Sequence, residues 1–264
     1  MKIAFITGAS SGMGREFCKR LDGYGFDEIW GFGLGEERFN TLKSELKTSL
    51  RVFDMDLTKP ESIAIVDEEL KQHKPDIQWL VNASGFGKFA RYDEYDTDTK
   101  INMINLNCSV LVRLTEMCLP YMKEGARVVQ IASVAGFQPT PYTTVYAATK
   151  AFVISYSRAM NVELKSRKIS MTCLCPFWTK TPFFDRAKKI KAKTSNEVIT
   201  NYVVMYEPDF VVDKAMKAAL KRKELVIPGF IARSQVRLVK LLPHKWVMGI
   251  WCNQQKFKKK YAGK

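Results

Sequence analysis

Tyr146 and Lys150 stand four residues apart in the stretch VYAATKAF. On a helix, positions i and i+4 share a face one turn apart, so the phenol and the ammonium point the same way. A cation beside a phenol favours the phenolate and draws its pKa down from about 10 towards neutrality. A phenol tuned in that way gives or takes a proton near pH 7, which is general acid–base chemistry. The alternative is an ordinary Tyr–Lys pair on an exposed helix, and only the surrounding chain separates the two.

A second chemical stretch is TGASSGMG, residues 7–14. Gly8 permits a turn. Gly12 and Gly14 let backbone and helix come close to a pyrophosphate, and a helix N-terminus adds amide donors and the positive end of its dipole. Glycines alone are weak evidence. Between a strand and a helix at the start of the chain, they predict a dinucleotide site.

The elements that position these groups alternate. Short apolar runs at residues 2–8, 28–33, 50–58, 77–85, 126–133, 169–176 and 224–229 predict seven strands. Helical patterns lie between them, over 13–25, 36–47, 60–73 (opening on Pro60), 98–122 as one long helix, and the segment carrying Tyr146. Strand–helix–strand repetition with right-handed crossovers gives an α/β fold with a doubly wound parallel sheet and helices on both faces, in which ligands bind outside the carboxyl ends of the strands. Residues 183–210 lack a clear period and predict a substrate lid. The expected organisation is a single Rossmann-type catalytic domain over 1–229 followed by a basic amphipathic extension over 230–264.

Composition narrows the class. With 264 residues, 46% of them apolar, the chain can bury a large core. No uninterrupted apolar run reaches the ~18 residues of a membrane span. The first apolar stretch is too short for a signal peptide, so a cytoplasmic protein is expected. None of the six cysteines forms a CxxC pair, and only His73 and His244 could complete a metal site. Buried reduced thiols are expected and no metal. The net charge of +15 is uneven, because residues 213–264 hold 14 Lys and Arg against Asp213 and Glu224 alone.

These motifs together resemble the short-chain dehydrogenases/reductases. Gly8, Gly12 and Gly14 match that family's Thr-Gly-x-x-x-Gly-x-Gly turn, and Asn82 to Gly85 match its Asn-Ala-x-Gly segment. Ser133 precedes Tyr146 by the family's 13 residues, and Tyr146 and Lys150 match its Tyr-x-x-x-Lys pair. Asn107 matches the family's helix asparagine, with Asn105 as a rival that fits the spacing less well. The resemblance runs from residue 1 to about residue 182. One departure stands out: Pro176 is followed by Phe177 where the family has glycine, which bears on how the chain bends past a nicotinamide.

The resemblance implies an NAD(P)-dependent oxidoreductase, a homo-oligomer with Tyr146 as general acid/base. It implies that Lys150 holds the nicotinamide ribose and lowers the tyrosine's pKa, that Ser133 bonds the carbonyl oxygen, and that Asn107 helps hold a relay water. The alternative for Ser133 and Asn107 is local backbone capping. The implied cofactor contacts are Gly8, Ser10, Ser11, Gly12, Met13, Gly14, Asp56, Asn82, Ala83, Gly85, Tyr146, Lys150, Pro176 and Thr181. Asp56 is otherwise a turn residue after a strand. The second strand ends in Gly33 and Leu34 with no acid to repel a 2′-phosphate, which favours NADP over NAD. Arg38 and Arg15 are candidate phosphate partners, while Glu36 and Glu37 argue the other way.

Phe86, Phe89, Phe137, Tyr142, Phe177, Trp178, Phe183 and Phe184 follow three strand ends. An apolar aromatic wall suits a hydrophobic secondary alcohol or ketone, steroid- or lipid-like. The alternative is that several of them only pack the lid. The basic tail could favour an anionic substrate or lie on an anionic membrane surface, making the protein membrane-peripheral. It could equally close the site or pack on another subunit. No nucleic-acid recognition motif accompanies its charge. The rival functions are a dinucleotide-binding redox sensor and a membrane-surface protein without turnover.

Overall fold

The computed structural model of the chain describes residues 1–184, 199 and 201–257. Seven parallel strands form one sheet: β1 (Lys2–Thr7), β2 (Glu28–Gly33), β3 (Ser49–Asp54), β4 (Asp76–Asn82), β5 (Arg127–Ile131), β6 (Ser170–Leu174) and β7 (Leu225–Val226). Their order is β3-β2-β1-β4-β5-β6-β7, all neighbours parallel. The chain winds outward from β1 in both directions, so the sheet switches between β1 and β4. A crevice opens there at the carboxyl ends.

The strands read as continuous apolar runs because helices cover both faces of the sheet. Alternate residues of β1 feed two separate cores: Ile3 and Phe5 enter one, Ala4 and Ile6 the other. On the first face, Phe5, Phe32 and Phe53 stack across three strands with centroids 4.2 and 4.3 Å apart. That stack fixes the register of β1, β2 and β3, and with it the heights of the three loops that line one side of the crevice.

Among the described residues the α-helices are α1 (Gly12–Leu21), α2 (Glu36–Glu45), α3 (Pro60–His73), α4 (Thr97–Ile104), α5 (Leu111–Cys118), α6 (Thr144–Glu163), α7 (Pro208–Leu220), α8 (Phe230–Leu241) and α9 (His244–Gln254). The long helix expected over 98–122 is interrupted. Between α4 and α5 runs a π-helical segment, Asn105–Val110, which holds Asn107. Widened turns of this kind occur mostly at functional sites. Residues 185–198 and 200 of the expected lid, and 258–264 of the tail, lie outside the described residues. No described helix is long and apolar enough to cross a membrane. Five of the six cysteines are buried and all six are free.

Candidate active site

Two loops meet at the switch point. Thr7, the last residue of β1, accepts from the backbone N–H of both Ala83 and Ser84 through Oγ1, each at 3.0 Å, and so ties the end of β4 to the glycine turn. The turn leaves no room for side chains. A Cβ on Gly8, whose φ is +67°, would lie 2.8 Å from the Ala83 carbonyl oxygen. One on Gly14 would lie 2.3 Å from the Gly8 oxygen. Helix α1 therefore starts in direct contact with the turn. Its first turn carries no acid, and Gly12, Met13 and Gly14 at its start line the crevice, which sets the positive end of the helix dipole there.

Most residues expected at a cofactor line this crevice, a cleft of about 380 Å³: Gly8, Ser10, Ser11, Gly12, Met13, Gly14, Asp56, Ala83, Gly85 and Thr181. Asp56 is also the turn residue allowed for, accepting from Thr58 N and Oγ1 at 3.0 and 2.8 Å. Asn82 is placed elsewhere. Its side chain is buried and donates to Thr115 Oγ1 at 3.1 Å, so only the backbone after it reaches the crevice. Pro176 lines the adjoining cavity instead. Leu34 stands on the crevice wall and is half exposed. Arg15 is held by the Arg38 carbonyl and Glu45. Asp54, not singled out from the sequence, ends β3 beside Gly33, but its Oδ1 accepts from Gly35 N at 3.0 Å.

The crevice continues into a second cavity of about 130 Å³, with Met13, Ala83, Gly85, Thr181 and Phe183 common to both. Ser133, Tyr146 and Lys150 line it together. Ser133 sits at the end of β5 and caps the short 3-10 turn Val134–Phe137, accepting from Ala135 N at 3.2 Å. That capping role does not exclude chemistry. With its oxygen accepting there, the hydroxyl hydrogen is left to donate to the Tyr146 phenol. Gly136 brings the pieces together, because a Cβ on it would lie 2.6 Å from the Lys150 carbonyl carbon. Its signal in the sequence is only a glycine three residues after Ser133.

Lys150 does not lower the Tyr146 pKa as the four-residue spacing predicts. The phenol of Tyr146 is pushed up to about 12, chiefly by burial, and the opposing bond comes from Ser133 rather than from Lys150. The Lys150 ammonium lies 5.7 Å from the Tyr146 ring centroid and donates to the Ile131 carbonyl at 2.8 Å. Sharing a helix face set the direction of the two side chains but not the contact between charge and oxygen. At neutral pH the phenol is therefore held protonated.

Burial also brings Lys150 down to about 8 from 10.5, with the thiols of Cys108, Cys173 and Cys175 opposing the shift. Between these two pH values the unfolded chain binds a proton that the folded chain does not. The lysine's penalty is thus fully present below pH 8 and is relieved as pH rises to 10.5. Lys150→Met keeps the stem and lacks the charge. From neutral pH to pH 10, the stability of the parent relative to this variant should rise, by at most about 3 kcal/mol. Urea midpoints read it directly, and a flat difference would contradict the assignment.

Asn107 is buried in the π-helical segment. It accepts from Phe86 N at 3.1 Å and donates to Phe86 O and Thr149 Oγ1 at 2.9 and 3.1 Å. Asn105 instead reaches Thr58 O at 3.4 Å. The side chain of Asn107 thus clamps the loop after β4 and ties it to Thr149 on α6. Phe177 has no positive φ, so its position does not need a glycine conformation.

Of the expected aromatic wall, Phe89, Phe177, Trp178, Phe183 and Phe184 line the cavity. Phe86 faces the crevice. Tyr142 packs in a cluster with Phe257 and Trp251, and Phe137 lies under Lys240. The C-terminal helices reach the site, as the site-closing alternative for the tail allowed, and Gln235, Trp251 and Gln254, which the sequence did not single out, complete the wall. Trp251 Nε1 donates to Pro141 O at 2.9 Å, and the Gln255 side chain pairs with both backbone groups of Asn201. The two tryptophans of KWVMGIW were the available signal.

The sequence comparisons agree with this geometry. Residues 2–192 match the family model described as short chain dehydrogenase, and the chain belongs to that family. An uncharacterised oxidoreductase of Staphylococcus epidermidis is 28% identical over 205 residues, covering 75% of this chain and 89% of that protein. Sulfoacetaldehyde reductase 2 of Chromohalobacter salexigens is 33% identical over 188 residues, covering 69% and 74%. Among solved structures, a short-chain dehydrogenase from Sphingobium yanoikuyae in complex with NADPH superposes with a TM-score of 0.75 at 25% identity, covering 91% and 92%. The fold is that of a Rossmann-type short-chain enzyme, and the protein is an oxidoreductase of the dehydrogenase/reductase class.

Proposed function

We propose that the protein reduces a hydrophobic ketone to a secondary alcohol, or runs the reverse reaction, with a nicotinamide dinucleotide. The observation that carries this reading is the convergence of Ser133, Tyr146 and Lys150 in a cavity continuous with the glycine-lined crevice. NAD(P)H supplies the hydride. The glycine turn and the first amides of α1 hold its pyrophosphate. Lys150 holds its ribose near Gly85, where a Cβ would stand 3.7 Å from Nζ. Tyr146 gives the proton from Oη to the carbonyl oxygen of the substrate. Ser133 turns its single hydroxyl hydrogen from the phenol to that same oxygen as charge gathers on it. Asn107 positions the loop that forms the cavity floor.

The cofactor is read as NADP rather than NAD. Leu34, on the crevice wall after β2, offers no carboxylate to a ribose, and the Oδ1 of the neighbouring Asp54 accepts from Gly35 N. The substrate cavity is small for a lipid- or steroid-sized ketone, since drug-sized ligands fill roughly 300–1,000 Å³. About 130 Å³ accepts little more than one aromatic ring, so a larger substrate requires the wall of Trp178, Phe183 and Trp251 to move. Exposed Ile104 and Phe152 support a second copy as a partner on the α4–α6 side. Residues 1–229 are read as the catalytic domain, with the tail as its outer wall and as a membrane-peripheral element.

Mixing the protein with NADPH or NADH and a graded ketone panel, and following nicotinamide absorbance, tests the reading. NADPH should be used at least about tenfold better, equal to about 1.4 kcal/mol in the transition state. Leu34→Asp should narrow that preference. A protein that binds NADPH but transfers its hydride to none of the ketones would be a sensor without turnover instead.

A further inference from the structure

Helix α8 is apolar on two sides. Ala232, Val236 and Val239 pack inward and are buried. At about 100° per residue, Phe230, Ile231, Leu238 and Leu241 fall on a different arc of about 100°, and Arg233, Arg237 and Lys240 fill the arc beside it. These outward apolar residues are open: Leu241 is 82% exposed and Phe230 73%. A helix that only covers a core carries polar residues on its outer side. In α9 the same division recurs. Val247, Trp251 and Gln254 face the protein and its cavity, while Trp246, at 63% exposure, and Ile250 face out one turn apart.

We infer that the outer faces of α8 and α9 dock on an anionic lipid bilayer. Charge selects this occupant. The described residues 230–257 hold Arg233, Arg237, Lys240, Lys245 and Lys256 and no acid. A second copy would set one such basic face against another, and like charges at close range repel. Nucleic acid would meet the lysines and leave Phe230, Leu241 and Trp246 in water. A bilayer with acidic headgroups takes both kinds of group, since the basic side chains meet the headgroups and the apolar ones enter the acyl boundary. Tryptophan suits that boundary, with an apolar body and one N–H donor. The inner side of α9 walls the substrate cavity, so docking sets the bilayer against the outside of that wall. This last point rests on the proposed reaction, and the docking itself does not.

The test is flotation of the full chain with phosphatidylcholine vesicles, with and without 30% phosphatidylserine, at low and high salt. The protein should float with the phosphatidylserine vesicles at least tenfold more than with neutral ones, and high salt should release it. Leu241→Ser with Trp246→Ser should lower that binding at least tenfold. Arg237→Glu with Lys245→Glu should do the same through charge alone. These side chains are exposed and lie away from the crevice, so NADPH binding in all variants should equal the parent's. Equal flotation with neutral and anionic vesicles, no flotation, or variants that float like the parent would overturn the inference. So would a concentration-dependent dimer that the same substitutions dissociate. Loss of ketone turnover with flotation intact would fault the reaction and spare the docking.

Discussion

Tyr146→Phe should cut ketone reduction by about 10²–10⁴-fold, the usual worth of a positioned proton donor, and leave NADPH affinity unchanged. The substitution keeps the ring, which packs against Phe89 and Phe183 with centroids 5.9 and 5.5 Å away. It removes the hydroxyl that Ser133 addresses. Because burial holds the phenol protonated, the parent is ready as an acid at neutral pH without any adjustment. The cofactor crevice is built from the glycine turn and the loop after β4, neither of which depends on the phenol oxygen. Stopped-flow traces and NADPH fluorescence titration read the two quantities separately. A Phe variant turning over at near the parent's rate would remove Tyr146 from the proposed chemistry, whatever its affinity.

Gly14→Ala is expected to damage cofactor binding and the fold instead of the proton transfer. The new Cβ would lie 2.3 Å from the Gly8 carbonyl oxygen and 2.6 Å from its carbon, both backbone atoms that cannot swing aside. Helix α1 must therefore move off the turn, carrying its first amides away from the pyrophosphate position. NADPH should bind at least about tenfold more weakly, a loss of about 1.4 kcal/mol. Overpacking of this kind also costs about 1–3 kcal/mol of stability. Gly249→Ala is the matched control, since nothing lies within 4 Å of its Cβ position. It should be neutral or slightly stabilising, as helical Gly→Ala changes are. Unchanged affinity and urea midpoint in Gly14→Ala would show that the turn is looser than its packing indicates.

The repeating pattern of strand and helix is a local property, and the sequence carries it openly. Seven apolar runs became seven parallel strands because a strand buried on both faces can be written in few other ways. The glycine turn was legible for a similar reason: Gly8 at φ +67° and Gly14 against the Gly8 oxygen admit no other residue. Ser133, Tyr146 and Lys150 were legible as types at a spacing, and the fold brings them to one cavity.

Electrostatics and long-range contact were not legible. Whether Lys150 tunes Tyr146 depends on where its ammonium finds an acceptor, and that acceptor is the Ile131 carbonyl, 19 residues away. The Asn82 side chain turns into the core because Thr115 lies behind it, 33 residues on. The π-helical turn at Asn107 follows from its clamp on Phe86, which no helical period announces. The tail showed its basic charge and its tryptophans, but the contact of Trp251 with Pro141 spans 110 residues. The sequence by itself determined the order of elements and the kinds of group available for chemistry, because those depend on neighbours along the chain. Tertiary structure alone decided the protonation state of the phenol, the size of the cavity and which helix closes it, because each depends on atoms that only folding brings within a few ångströms.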